Sequence, residues 1–224
     1  PAMTYFATAS AVSYQHATPV FVDIEPTSFN IDPNKIEEAV GPKTKAIVFI
    51  DYGGNPADIE SLKAIADKKN LLLLQDGAQS LGGIYQNKLL GAQTSISTMS
   101  FHMAKIMTTI EGGMIFTHNQ NIANDVMCRR NQGEPKNGKY QHIVLGTNAR
   151  MTDMQAGIGI EQLNKLPTFL DERNKIALKY NKLFDENGIR HMKTANKGNT
   201  NSYFFYPILL NNRDLVSEEL RKKY

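Results

Sequence analysis

Short apolar runs of strand length alternate with amphipathic stretches of helix length along most of this sequence, and this alternation restricts the fold more than any other feature. Residues 46–50 and 71–74 are continuous apolar runs. A helix is expected between them, because Asp58 can cap its start and Asn70 can close its end. Strands that alternate with helices in this way are typical of a mainly parallel sheet covered by helices. The sequence therefore predicts a layered α/β domain.

The same reasoning predicts the other elements. Further strands are expected at residues 20–23, 96–101, 114–117 and 202–210, with a hairpin at 85–90. Further helices are expected at residues 35–40, 122–130, 153–163 and 167–187, and from near Leu215 onward. The alternation ends near residue 150, and Asn, Lys and Gly accumulate at residues 185–200. We therefore expect a large domain over residues 1–187 and the beginning of a smaller α+β domain over residues 188–224.

Composition narrows the class of protein. The 224 residues include 25 Lys and Arg against 22 Asp and Glu, so the net charge of +3 gives no reason to expect a nucleic-acid partner. No apolar run approaches the roughly 20 residues that span a bilayer, so no membrane association is expected. The single cysteine, Cys128, cannot form an internal disulfide and is typical of a reducing compartment. These features predict a cytoplasmic protein.

Polar residues follow two of the predicted strands at their carboxyl ends, where α/β sheets bind ligands. Asp76 and Gln79 follow the run at residues 71–74, whereas Ser100 and Lys105 follow the next long strand. The sequence contains no P-loop, no GxGxxG after the first strand and no GxSxG, and its five histidines lack metal-ligand spacing. Nucleotide-fingerprint, serine-hydrolase and metal sites are therefore not expected.

Several segments occur together in the order of one known family. Residues 76–80 (DGAQS) resemble an EDAAQ segment, residues 100–105 (SFHMAK) a serine-to-lysine segment and residues 108–114 (TTIEGGM) a TTGEGG segment. Residues 4–12 (TYFATASAV), 19–24 (PVFVDI), 51–58 (DYGGNPAD) and 146–156 (GTNARMTDMQA) resemble further segments of that family. The family is DegT/DnrJ/EryC1/StrS, the sugar aminotransferases that depend on pyridoxal 5'-phosphate (PLP). The resemblance implies a three-layer α/β/α domain of the aspartate aminotransferase-like type (fold type I), with a mostly parallel mixed sheet.

The resemblance assigns chemical roles to four candidate residues. Lys105 would form a Schiff base with the cofactor aldehyde and then transfer the proton of the amino donor. Asp76 would keep the pyridine nitrogen protonated, so that the ring can accept electrons. Gln79 would hydrogen-bond the phenolic oxygen of the cofactor, and Ser100 would donate to its phosphate.

Four further positions receive roles from the resemblance. Tyr5 would stack on one face of the cofactor ring and Ala78 would pack against the other. Asn148 would reach the phosphate held by a neighbouring subunit, which implies a homodimer with shared active sites. Asp51 stands where the family commonly has histidine, and we expect this difference to affect the choice of substrate.

The implied function is an aminotransferase that uses PLP and its amine form, pyridoxamine phosphate (PMP). It would move an amino group from an amino acid, usually glutamate, to a keto group of a nucleotide-linked deoxysugar. The related dehydratase branch replaces the lysine with histidine, so Lys105 disfavours it. A non-catalytic cofactor-binding module is disfavoured by the intact set of candidate residues. The family's GSGTAAL-like phosphate-binding turn and complete C-terminal domain are missing here, so the resemblance implies a central fragment of a longer chain.

Overall fold

The computed structural model describes residues 1–194 and 198–224. Within these ranges the α-helices are α1 (Phe6–Tyr14), α2 (Ile36–Ala39), α3 (Ile59–Lys69), α4 (Gln120–Arg130), α5 (Asp153–Glu186) and α6 (Arg213–Lys223). The strands of the same ranges are β1 (Ala46–Ile50), β2 (Leu72–Asp76), β3 (Ile84–Tyr85), β4 (Lys88–Leu89), β5 (Ile96–Ser100), β6 (Gly113–Thr117), β7 (Arg190–His191) and β8 (Ile208–Leu209). Short 3-10 turns lie at Pro33–Lys35 and Tyr52–Gly54.

The described residues form a four-stranded mixed sheet with the order β1-β2-β5-β6. The β1–β2 and β2–β5 pairs are parallel, whereas β6 joins β5 in the antiparallel direction. Parallel neighbours place their carboxyl ends at one edge, so the residues that follow β1, β2 and β5 meet there. The prediction of an α/β fold with a mainly parallel mixed sheet is confirmed.

One face of this sheet carries a hydrophobic core. Ile47 and Phe49 alternate with more exposed residues along β1, and Leu73 follows the same pattern in β2. They pack in one cluster with Leu62 of α3, which is fully buried. The predicted ends of α3 are confirmed: the Asp58 side chain accepts the amide of Ser61, and Asn70 adopts the left-handed conformation that ends the helix.

The segment at residues 20–23 is not a strand, contrary to the prediction. The backbone bridge in this region is limited to Ile24 and Ile31, and Val20 and Phe21 are exposed. A run of β-branched and aromatic residues indicates only side chains that suit a sheet, and strand formation also needs a neighbouring strand. Among the described residues no strand lies beside this segment, so the prediction was wrong.

The two helices predicted at residues 153–163 and 167–187 are one continuous helix, α5, with Pro167 inside it. A proline removes one helical hydrogen bond and disfavours the helical conformation of the residue before it. That residue is Leu166, and its side chain is buried in a cluster with Met99 of β5. Burial of Leu166 therefore offsets the local cost of the proline. The helix ends as expected, because Gly188 follows its last turn with a positive φ.

The strand predicted at residues 202–210 is reduced to β8, which pairs with β7. Residues 201–205, which we call the crossing segment, run instead across the turn after β1. The amide of Ser202 donates to the carbonyl of Gly54 (3.1 Å), and the amide of Phe204 donates to that of Gly53 (2.8 Å). These amides are therefore satisfied by a loop and not by a neighbouring strand. A side chain at Gly54 would collide with the Ser202 hydroxyl, so this close crossing requires glycine.

Helix α1 has no counterpart among the elements predicted from the sequence. Its residues show little amphipathic pattern, and none of them is buried.

The hairpin predicted at residues 85–90 is confirmed as β3 and β4, which are joined by Gln86 and Asn87 with positive φ at both positions. None of the helices in the described ranges is long and apolar enough to cross a membrane. Part of the predicted domain boundary at residues 185–200 lies outside the described residues.

Candidate functional site

Three turns meet at the edge formed by the carboxyl ends of β1, β2 and β5. They are residues 51–54, 76–80 and 100–105. The first two turns are joined by a hydrogen bond from the amide of Gly53 to Oε1 of Gln79 (2.7 Å). The second and third turns are joined electrostatically, because the Asp76 carboxylate acts on the Lys105 amine. The predicted position of the site beyond the strands is therefore matched by a compact arrangement of polar groups.

Asp51 lies beneath these turns and is fully buried. One carboxylate oxygen accepts from Nε2 of Gln75 and from the hydroxyl of Ser80 (both 2.6 Å), and the other accepts from the amide of Ala57 (3.0 Å). Burial raises the pKa of Asp51, and these hydrogen bonds act in the opposite direction. Because the carboxylate has no exposed surface, it can affect substrate choice only through the turns that it holds, and the expected effect on substrate choice stays a prediction. It holds the turns after β1 and β2 together.

Asp76 is the last residue of β2 and is half-buried. The hydroxyl of Thr8 donates to its Oδ2 (2.7 Å), and the amide of Ala78 donates to its Oδ1 (3.1 Å). Thr8 in turn shares a hydrogen bond with the hydroxyl of Thr4 (2.7 Å). The first turn of α1 is thereby fixed beside the carboxylate. Sequence reasoning assigned no role to Thr8, and its only signal was its place within the segment TYFATASAV.

Gln79 is fixed from two sides. Its Oε1 accepts the amide of Gly53, which leaves Nε2 as a donor, and its backbone carbonyl accepts the hydroxyl of Ser202 (3.3 Å). Ala78 lies between Gln79 and Asp76 in the same turn and is half-buried. The turn after β2 therefore presents a carboxylate, a small apolar side chain and an amide donor close together.

Ser100 and Lys105 lie at the two ends of the third turn. Oγ of Ser100 accepts the amide of His102 (3.4 Å), and the amide of Lys105 donates to the carbonyl of His102 (2.9 Å). Burial lowers the pKa of Lys105, and the negative charge of Asp76 partly opposes that shift. Nζ of Lys105 lies 4.6 Å from the centroid of the Phe204 ring. Sequence reasoning missed Phe204 because its aromatic surroundings favoured a strand.

The other two predicted residues, Tyr5 and Asn148, are both exposed. Tyr5 precedes α1, close in the chain to Thr4, and its side chain is 76% exposed. Asn148 lies on the exposed loop before α5, where it bridges to Asn131 and accepts the amide of Arg150 (3.5 Å). Within the described residues, no contact joins Asn148 to the turns that hold Asp76 and Lys105.

Comparisons with known proteins agree with this architecture. Residues 1–224 match the sequence model of the DegT/DnrJ/EryC1/StrS aminotransferase family. The chain is 38% identical over 177 residues to GDP-perosamine synthase from Caulobacter vibrioides, and the alignment covers 79% of this chain and 48% of that protein. The chain therefore spans about half the length of this relative.

Two solved structures share the fold. PseC from Helicobacter pylori, an aminotransferase involved in the biosynthesis of pseudoaminic acid, superposes with a TM-score of 0.91 at 32% identity, covering 99% of this chain and 61% of that one. The PLP-form of Spr1654 from Streptococcus pneumoniae superposes with a TM-score of 0.92 at 26% identity, covering 100% and 64%. The family pattern is matched from the first residue to the last, and the fold is that of solved relatives. The chain therefore belongs to the DegT/DnrJ/EryC1/StrS aminotransferase family.

Proposed function

We propose that this chain forms the PLP-binding part of an aminotransferase that acts on a nucleotide-linked sugar. The amino group would come from an amino acid, with glutamate as the expected donor, and would pass to a keto group of a deoxysugar. The observation that carries the proposal is that Asp76 and Lys105 come together at the carboxyl edge of the sheet, close enough for the carboxylate to act electrostatically on the amine. Membership of the family supports the reaction class, and the relatives' names support a sugar acceptor.

The residues present fit PLP chemically. A carboxylate suits a protonated pyridine nitrogen, and the Asp76 carboxylate is held in place by the two hydrogen bonds that it accepts. Nε2 of Gln79 and the hydroxyl of Ser100 are donors suited to a phenolic oxygen and a phosphate. When bound, PLP supplies an electron-poor ring that takes up the electron pair left on the donor carbon.

Lys105 is the residue that would hold the cofactor covalently and move the proton at the donor carbon. A lysine that acts as a base must be neutral, and an ordinary lysine is almost fully protonated near pH 7. Burial lowers the pKa of Lys105, which raises the neutral fraction. Asp76 would hold the proton of the pyridine nitrogen, while Ala78 and Tyr5 would pack on opposite faces of the ring.

Two alternative functions, a sugar dehydratase and a non-catalytic cofactor-binding module, are less well supported. In the dehydratase branch that the resemblance suggests, a histidine takes the place of the lysine, and this chain has Lys105. A non-catalytic module has no need of a half-buried lysine whose pKa is lowered. We also infer a cytoplasmic location, because the only cysteine is a buried free thiol.

A visible absorption band tests the proposed function. We expect the purified chain, supplied with PLP, to show a band that depends on Lys105 and that glutamate bleaches as the amine form accumulates. The measurement is a spectrum before and after addition of glutamate, with D-glutamate as the matched control. The proposal fails if no band forms, or if the band is unchanged in Lys105→Ala. Bleaching without amination of any nucleotide sugar would contradict the proposed acceptor alone.

We further propose a homodimer in which Asn148 contributes to the neighbouring site. Exposed apolar side chains near the start of α5 support it, with Met154 82% exposed, as does the exposed position of Asn148 itself. In a symmetric dimer of this kind, mixing Lys105→Ala with Asn148→Ala subunits rebuilds one intact site in each mixed dimer. We expect tight PLP binding to return to about a quarter of the sites. A monomer in sedimentation, or no gain on mixing, would contradict the shared site.

A further inference from the structure

The ring of Phe204 lies against the amine of Lys105. The distance from Nζ to the ring centroid is 4.6 Å, within the roughly 6 Å at which an aromatic face attracts an ammonium group. The two residues come from distant parts of the chain, because Lys105 follows β5 and Phe204 belongs to the crossing segment. The sequence comparison assigned no function to Phe204.

Three hydrogen bonds fix the backbone at Tyr203 and Phe204. Arg173 of α5 donates to the carbonyls of Tyr203 (2.8 Å) and Phe204 (3.1 Å). The amide of Phe204 donates to the carbonyl of Gly53 (2.8 Å). The ring also packs against the buried cluster around Leu166 of α5. Phe204 is therefore a rigid surface, whereas a lysine side chain is flexible and must be held in place by its neighbours.

The surroundings of Lys105 include influences that favour its ammonium form and influences that favour its neutral form. Asp76, at the end of β2, attracts the ammonium form. On the turn that carries Lys105, Nε2 of His102 lies 3.6 Å from Oε1 of Glu111, so this carboxylate faces the histidine. Burial favours the neutral amine and is the larger influence on the pKa of Lys105. An aromatic face favours the ammonium form and also selects its position.

We propose that Phe204 is a positioning residue for Lys105: its ring face holds the amine near the Asp76 carboxylate. The consequence for catalysis rests on the proposed function, in which Lys105 binds the cofactor. The contact itself belongs to the chain alone and can be tested without the cofactor.

The test compares Phe204→Leu, which keeps an apolar side chain but removes the aromatic face, with Phe204→Tyr, which keeps that face. In the whole chain freed of cofactor, acetic anhydride acetylates the neutral amine of Lys105, and mass spectrometry gives the rate against pH, with exposed Lys63 as internal reference. Loss of the attraction lowers the pKa of Lys105. We therefore expect the Phe204→Leu profile to move to lower pH, with acetylation about two- to fivefold faster below the midpoint. Phe204→Tyr should retain the wild-type profile.

Each other outcome overturns the inference. Identical profiles in all three proteins would mean that the ring does not act on the amine. A shift to higher pH in Phe204→Leu would mean that the ring only excludes water. Equal shifts in both variants would indicate a packing effect. Phe204→Met serves as a second variant if thermal unfolding shows that the leucine variant is poorly folded. Failure of the wild-type chain to bind PLP would remove the proposed function but leave this acetylation result unaffected.

Discussion

Replacing Lys105 by alanine is expected to lower the rate of amino transfer at least about a thousandfold. The substitution removes both the amine that would hold the cofactor and the base that would move the donor proton. The other described donors and the Asp76 carboxylate remain, so non-covalent binding of PLP should persist with weaker affinity. The measurement is the rate at which glutamate is converted to 2-oxoglutarate in a single turnover, because this half-reaction needs no sugar.

The matched control for this prediction is Lys63→Ala. Lys63 is exposed on α3, so its loss should leave the rate within about twofold. A Lys105→Ala protein that is correctly folded and retains a tenth or more of the wild-type rate would contradict the assignment. In that case the proton would have to be moved by another group.

Replacing Asp51 by alanine is expected to lower the free energy of unfolding by about 3 kcal/mol. Three buried donors then lose their acceptor: Nε2 of Gln75, the hydroxyl of Ser80 and the amide of Ala57. The variant no longer has the free-energy cost of burying a carboxylate, but this gain offsets only part of the loss. Urea unfolding followed by circular dichroism measures the effect, since the chain contains no tryptophan.

The control for this variant is Asp67→Ala, which removes an exposed carboxylate of α3 and should change stability by less than about 0.5 kcal/mol.

The stability that Asp51 contributes is expected to depend on pH in a definite direction. Burial raises the pKa of Asp51, so the folded state keeps this proton to higher pH than the unfolded state. The stability that Asp51 contributes therefore falls as pH rises through that interval, and the deficit of Asp51→Ala should be larger near pH 4 than near pH 8. Equal stability of variant and wild type at both pH values would contradict the structural role.

The sequence predicted the parts of the fold that local patterns determine. The strands β1 and β2 are apolar runs of strand length on either side of α3, a helix with recognisable caps, so the local sequence identified them. The predictions of secondary structure were wrong where contacts with distant parts of the chain determine the local conformation. Residues 20–23 have strand composition without a described strand beside them, and Pro167 does not end α5 because burial of Leu166 holds that turn. The aromatic run of the crossing segment bonds to Gly53 and Gly54 and so does not extend β8.

The residues of the candidate site also differ in whether the local sequence or a contact with a distant part of the chain identifies them. Asp76, Gln79, Ser100 and Lys105 could be proposed as site residues because each lies in a segment that resembles the family, at or just after the end of a predicted strand. Thr8 and Phe204 could not, since each reaches the site from an element distant in the sequence and lacks a diagnostic pattern of its own. Asp51 was noticed as a difference from the family, yet only its complete burial separates a structural role from a substrate contact.

Trapping the bond between cofactor and chain tests the central claim most directly. The chain would be loaded with PLP, reduced with sodium borohydride, digested and mapped by mass spectrometry. The proposed function predicts a phosphopyridoxyl group on Lys105, at close to one per chain, and none on Lys63 under the same conditions. Modification spread over several exposed lysines, with Lys105 unmodified, would contradict it.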